Sequence, residues 1–213
     1  MRNMFFSGDK ARLVLAQPLG TIFQTRRLVN LPGEPGDWRF DGQASNSDAQ
    51  FTCVLDRREF IAVRPRYPVG QVCYVGVPHW RLNTTSGPLI VQTAPPPDES
   101  VLRGLGYRLM AGRSLPARAA RAWVVPIEIR VQRVGDITEA DARAELVESH
   151  DFGGGLRWRD YLEDGQPFTL TLPSTSFFMM LIAAHRGKPV PRDAWCFAYT
   201  CKRVERPKEA PRG

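Results

Sequence analysis

The stretch that decides the fold is AWVVPIEIRVQRVGDITEADARAEL, residues 122–146. Val125, Ile127, Ile129 and Val131 alternate there with Val124, Glu128, Arg130 and Gln132. Period-two alternation puts one side of a strand on a core and the other toward water, so a strand is predicted from Val124 to Val134. Pro126 has no amide proton to give to a ladder, which places that end at an edge or a bulge. The chain then changes period. Thr138 stands at a helix N-cap, Asp141 follows three residues later in capping-box position, and Ile137 can staple onto Ala142. Ala142, Glu145 and Leu146 share one helical face, so Glu145 lies on or beside the buried side. A carboxylate in that position needs a partner, a shifted pKa, or both.

Outward from this stretch the chain reads as short strands between turns: Gln24–Val29, Trp38–Phe40, Phe51–Val54, Phe60–Val63, Val72–Val75 and a closing strand from Trp195 to Val204. A helix is predicted from Asp9 to Ala16, ended by Pro18 and Gly20. Another runs from Ser176 to His185, capped by Ser174 or Thr175 and stopped by Gly187. That second helix is apolar on every side, so it is either central to the core or docked on a partner. Residues 93–119, with Pro95-Pro96-Pro97, read as a long surface excursion. Strands outnumber helices, and the expected class is α+β, mainly β.

The composition narrows the function. With 213 residues, 43% apolar and 24% charged, the chain has enough material for a sizeable core and is neither disordered nor collagen-like. The longest apolar run, Phe177 to Ala184, is too short to span a bilayer, and no basic-then-apolar leader opens the chain. A cytoplasmic protein of a bacterial host, without membrane contact, is expected. Cys53, Cys73, Cys196 and Cys201 lack paired spacing, and His79, His150 and His185 are scattered, so no metal and no cofactor is expected. Lys and Arg number 29 against 22 acids, a net charge of +7, and 25 of the 29 are arginine. Between residues 101 and 133 seven arginines face one acid, Glu128, whereas 134–151 hold six acids against Arg143. A basic strip of this kind fits an anionic partner such as nucleic acid or a nucleotide.

Three blocks resemble the ASCH class, as found in phage-encoded members. The first is Met4-Phe5-Phe6-Ser7-Gly8, a helix, then Gly20-Thr21-Ile22-Phe23-Gln24-Thr25-Arg26-Arg27. The second is Val69-Gly70-Gln71-Val72-Cys73-Tyr74-Val75 with Trp80 beyond it. The third is Leu115-Pro116 through Arg121, the long strand, and Asp136-Ile137-Thr138-Glu139-Ala140-Asp141-Ala142-Arg143-Ala144-Glu145. The resemblance implies a PUA-like twisted β-barrel with flanking helices, one domain over 1–204 with insertions at about 30–60 and 86–119, and a disordered basic tail at 205–213. Relatives of this type bind RNA or modified nucleosides, and some hydrolyse the acetyl amide of acetylated cytidine with a Lys, a Thr and a Glu. Carried over, the Thr falls on Thr25, the Glu on Glu145 and the Lys on Ile22, which cannot accept a proton. Binding is therefore expected rather than amidohydrolase activity, which stands as the alternative, together with binding of a host or phage protein.

The candidate site consists of Thr25, Arg26, Arg27, Arg118, Arg121, Glu145 and Trp80. On a strand Thr25 and Arg27 point one way and Arg26 the other. Thr25 and Arg27 would present a hydroxyl and a guanidinium to a ligand, Glu145 would accept from a base's amino edge, Arg118 and Arg121 would meet phosphate, and Trp80 would stack. The competing reading makes Glu145 half of a buried ion pair with Arg27 or Arg121 that holds its helix to the sheet.

Overall fold

The computed structural model describes residues 2–6, 8–43, 48–56, 59–92, 98–163 and 168–208. The predicted strand of 124–134 is present, and the chain builds around it. The first elements are β1 (Arg2–Phe5), α1 (Gly8–Ala16), β2 (Ile22–Leu28), β3 (Trp38–Gly42), β4 (Ala49–Cys53) and β5 (Phe60–Val63). Next come β6 (Cys73–Gly76), β7 (His79–Thr84), β8 (Gly87–Val91), α2 (Glu99–Gly104), β9 (Arg108–Met110) and β10 (Trp123–Arg133). The last are α3 (Glu139–Ala144), β11 (Ser149–Asp151), β12 (Leu156–Arg159), β13 (Phe168–Leu170), α4 (Pro173–Ala184) and β14 (Trp195–Val204). The protein is mainly β, with one five-stranded mixed sheet in the order β1-β6-β10-β14-β2 and three small sheets. Among the described residues β1 and β2 end that order, so the strands do not close on themselves.

Two compact units divide the chain. The first comprises Met1–Thr21, Gln71–Val125 and Lys202–Gly213; the second comprises Ile22–Gly70 and Pro126–Cys201. In the first, β1 runs parallel to β6, with Met4 opposite Val75 and Phe5 opposite Gly76. Met4, Phe6, Val14, Cys73, Val75 and Val124 are buried there. Gly76 is required by a close approach. A Cβ at this position would lie 2.1 Å from Asn3 Oδ1 and 2.5 Å from the Gly112 carbonyl oxygen. Asn3 Nδ2 donates to that same carbonyl at 3.0 Å and to the Arg113 carbonyl at 3.2 Å, tying β1 to the short 3-10 turn at Gly112–Ser114. Gly76→Ala is expected to destabilise the protein by about 1–3 kcal/mol, because the crowded atoms include rigid backbone. Urea denaturation measures this, and an unchanged midpoint would refute the tight contact.

In the second unit the core is Val134, Ile137, Ala142, Val147, Trp158, Phe177, Met180, Ala194 and Cys196, with Phe178 and Leu181 packed against it. The all-round apolar helix α4 thus supplies core, the first of the two readings its sequence allowed. Its predicted cap is corrected. The N-cap is Leu172, which makes no side-chain cap. Instead the Glu139 carboxylate accepts from Ser174 N at 3.1 Å and from Ser174 Oγ at 2.6 Å. Pro173 occupies the first turn, where its missing N–H costs nothing, and a carboxylate from α3 meets the positive end of the helix. Gly187, at φ +77°, ends α4 as predicted, with its N–H donating to the Ile182 carbonyl.

β10 is internal in the sheet order, but Pro126 lies beyond the part of it that β6 pairs with. That part is only Trp123 and Val124, so the missing N–H interrupts no ladder bond to β6. The Pro126 carbonyl accepts from Gly70 N at 2.8 Å. The predicted excursion at 93–119 is more ordered than expected: it contains α2, β9 and two 3-10 turns, and Leu102 and Leu115 are buried. The triple proline and the tail from residue 209 onward lie outside the described residues. Sequence reading missed the β7–β8 hairpin and the β11-β12-β13 sheet, whose strands are short and only partly alternating.

Candidate functional site

The capping box predicted for α3 forms. Asp141 N donates to Thr138 Oγ1 at 3.1 Å, and Thr138 N donates back to the Asp141 carboxylate. The helix is only six residues long and ends at Glu145, its C-cap, because Leu146 turns left-handed at φ +61°. Asp141 and Glu145 are one helical turn apart and project on one side.

Arg26 of β2 meets them. Its Nη1 donates to Glu145 Oε1 at 2.8 Å, and its Nη2 lies 3.5 Å from Asp141 Oδ2. Both the Arg26 and Glu145 side chains are 2% exposed. The guanidinium also lies over the Phe177 ring of α4, 5.5 Å from its centroid. From β10, Arg130 Nη2 donates to Asp141 Oδ1 at 3.0 Å. One sheet and two helices are therefore joined by a network of alternating charge, buried at Arg26 and Glu145 and reaching solvent at Arg130, whose side chain is 41% exposed.

This corrects the assignment of faces. Glu145 pairs with Arg26, which the sequence had not offered as its partner. Arg27 instead lies among Tyr67, Tyr199, Cys201 and Glu145, and burial lowers its pKa. The signal that could have identified Arg26 was the Asp141/Glu145 spacing, which offers two carboxylates to one cation. Thr25 is 3% exposed and Glu145 2% exposed, so neither presents its polar atoms to solvent. Ile22 is exposed.

Burial opposes ionisation of Asp141, but hydrogen bonds from Arg130 and Thr138 outweigh it and hold the carboxyl below its usual value. The Cys196 thiol, in the same core, is pushed up to about 12 by burial. A depressed carboxyl pKa contributes stability that is present above the unfolded value, about 3.9, and is lost as the pH falls through the folded one. Wild-type stability is expected to drop below about pH 4, and Asp141→Asn is expected to flatten that acid limb. A series of denaturation curves between neutral and acid pH checks this, and parallel limbs for the two proteins would contradict it.

Trp80, Arg118 and Arg121 belong to the first unit. Trp80 is 4% exposed, and Arg103 covers its ring with Cζ 5.2 Å from the centroid. A buried indole shielded by a guanidinium is packing, which corrects its expected role as a stacking platform. Arg118 and Arg121 are exposed, and Arg121 Nη1 donates to the Gln92 carbonyl at 2.6 Å. The predicted arginine strip separates accordingly. Arg103, Arg108, Arg113, Arg118 and Arg121 are exposed in the first unit. Arg130 and Arg133, in the second, are engaged. Arg133 donates to the Pro35 carbonyl at 2.9 Å and the Trp38 carbonyl at 3.1 Å, and stacks 3.9 Å from the Trp195 centroid.

The charge follows the same division. The first unit carries 14 of the basic residues and 5 of the acids, a net +9, and the second carries 15 and 17, a net −2. All of the excess positive charge thus lies in one half of the molecule. Comparison with family models, with curated proteins and with solved structures finds no match for this chain. Among the described residues no helix is long and apolar enough to cross a membrane.

Proposed function

We propose that this chain binds nucleic acid, RNA in the first place, as a phage-type ASCH-like protein built on a PUA-like scaffold. The observation that carries the reading is the segregation of charge. A unit of net +9 displays five exposed arginines on the loops and short elements of residues 103–121. Solubility alone needs no such separation, whereas neutralising successive phosphates does. The Thr138 capping box, the long strand before it and the closing strand at Trp195 agree with the ASCH-like reading. The Thr25/Glu145 pair serves the scaffold in this reading, with Glu145 committed to Arg26.

The test is fluorescence anisotropy of a labelled single-stranded RNA with the wild-type protein and with Arg113→Gln/Arg118→Gln/Arg121→Gln. The triple variant is expected to weaken binding uniformly across sequences and to reduce the log–log salt slope by about 2. Wild-type binding that is insensitive to salt would refute the proposal.

A further inference from the structure

The three-stranded sheet β8-β7-β9 of the first unit has two unlike faces. Its register sets Trp80 opposite Val91 and Leu109, and Leu82 opposite Leu89. That apolar face is the one α2 and its following turn cover. Arg103 lies over Trp80, and a Cβ on Gly106 would sit 3.4 Å from Leu82 Cδ1. On the other face Arg81 of β7 stands directly opposite Arg108 of β9 and Ile90 of β8. Two like charges in direct cross-strand register destabilise a sheet unless something neutralises them.

Among the described residues no carboxylate does so. The strands β7, β8 and β9 contain no acidic residue. The nearest acids in sequence, Asp98 and Glu99, start the helix on the opposite face. There the Asp98 carboxylate accepts from Ser100 N and Oγ, and Glu99 pairs with Arg103. Arg108 is exposed and Arg81 half-buried, and among the described residues neither is paired with a carboxylate. Arg81 is also held in place, its Nε donating to Asn83 Oδ1 at 2.9 Å, which leaves both Nη groups to act as donors. His79 lies two residues before Arg81 and so on the same face. It is 1% exposed; its Nδ1 is 3.2 Å from the Val77 carbonyl, while its Nε2 has no hydrogen-bond partner.

We propose that Arg81 and Arg108 form a clamp for one phosphate group on the acid-free face of this sheet. Two planar guanidiniums can each offer paired N–H donors to phosphate oxygens, and the bound anion turns a repulsive cross-strand pair into a bridged one. The clamp deepens the nucleic-acid reading above and rests on it only for the source of the phosphate. An internal phosphodiester and a terminal phosphate monoester share the required chemistry.

Two measurements on the full chain test the clamp. The first is the unfolding midpoint with inorganic phosphate against chloride at matched ionic strength. Phosphate is expected to raise the midpoint of the wild type and of Arg113→Gln, but not of Arg81→Gln/Arg108→Gln. The double variant without phosphate should be at least as stable as the wild type, since a like-charge pair has been removed. The second is RNA affinity, with 5′-phosphorylated and 5′-hydroxyl forms of one labelled oligonucleotide. The double variant is expected to lose about tenfold or more in affinity, with each single variant showing most of the loss. Preference for the 5′-phosphorylated form identifies the monoester as the ligand, and equal binding identifies the internal phosphodiester.

A phosphate response that persists in the double variant, or is absent from the wild type, overturns the clamp. So does RNA affinity unchanged in the double variant, which would leave the nucleic-acid reading standing. A phosphate response lost in the double variant, in a protein that binds no RNA, would keep the clamp and sink that reading.

Discussion

Arg26→Met is expected to lower stability by about 3–5 kcal/mol, the cost typical of removing one partner from a buried ion pair. The substitution preserves much of the side-chain volume against Phe177 and removes the Arg26 guanidinium from Glu145, which is 2% exposed and cannot recover that solvation from water. Asp141 would keep Arg130 at 3.0 Å, so the loss is concentrated at Glu145. For a chain of this size the fall corresponds to roughly 10 °C in the unfolding midpoint. Arg26→Met/Glu145→Leu is expected to recover most of the deficit, because an apolar pair of similar volume carries no desolvation cost. Thermal and urea denaturation of the two single variants and the double variant give the coupling energy directly. Additive losses would show that the two residues do not act as a pair, and the account of how α3 is held to β2 would fail.

The second large effect concerns salt. If about four exposed arginines each neutralise one phosphate, log affinity for single-stranded RNA should fall against log salt with a slope of about −3. Between 50 and 200 mM salt that is roughly a fifty-fold loss. Arg103 is already paired with Glu99, and Arg121 spends one donor on the Gln92 carbonyl, so these two are expected to contribute less than Arg108, Arg113 and Arg118. Single Arg→Gln variants rank them: each fully engaged arginine should remove about 0.7 from the slope. A slope near zero, or one unmoved by any of the five substitutions, would rule out backbone neutralisation as the source of affinity.

How much was legible beforehand depends on how local each feature is. The α3 capping box could be read because its donors and acceptors lie within four residues of one another. The long strand could be read because eleven residues keep period two well enough to outvote Pro126. The partner of Glu145 could not. The sequence pointed to Arg27 or Arg121, and that Arg26 takes the place instead depends on which face of β2 meets α3. Alternation on β2 is an unreliable guide there because Thr25 and Arg26, adjacent and nominally on opposite faces, are both buried. A sheet covered on both sides hides the signal that a half-exposed one displays. The cap of α4 was missed for a related reason: the carboxylate that fills it, Glu139, is 35 residues away from Ser174.

The residues alone determined a mainly β protein with a capped helix after its longest strand, a carboxylate at 145 on or beside the buried side, and a net charge of +7. These follow from periodicity, local hydrogen bonding and counting, all of which act over a few residues or none. The tertiary structure alone decided that Arg26 neutralises Glu145, that Trp80 is packing, that the net positive charge is confined to one unit, and that Arg81 faces Arg108 without an acid between them. Each of those depends on register between strands distant in sequence. A shift of one residue in register reverses every side chain it touches.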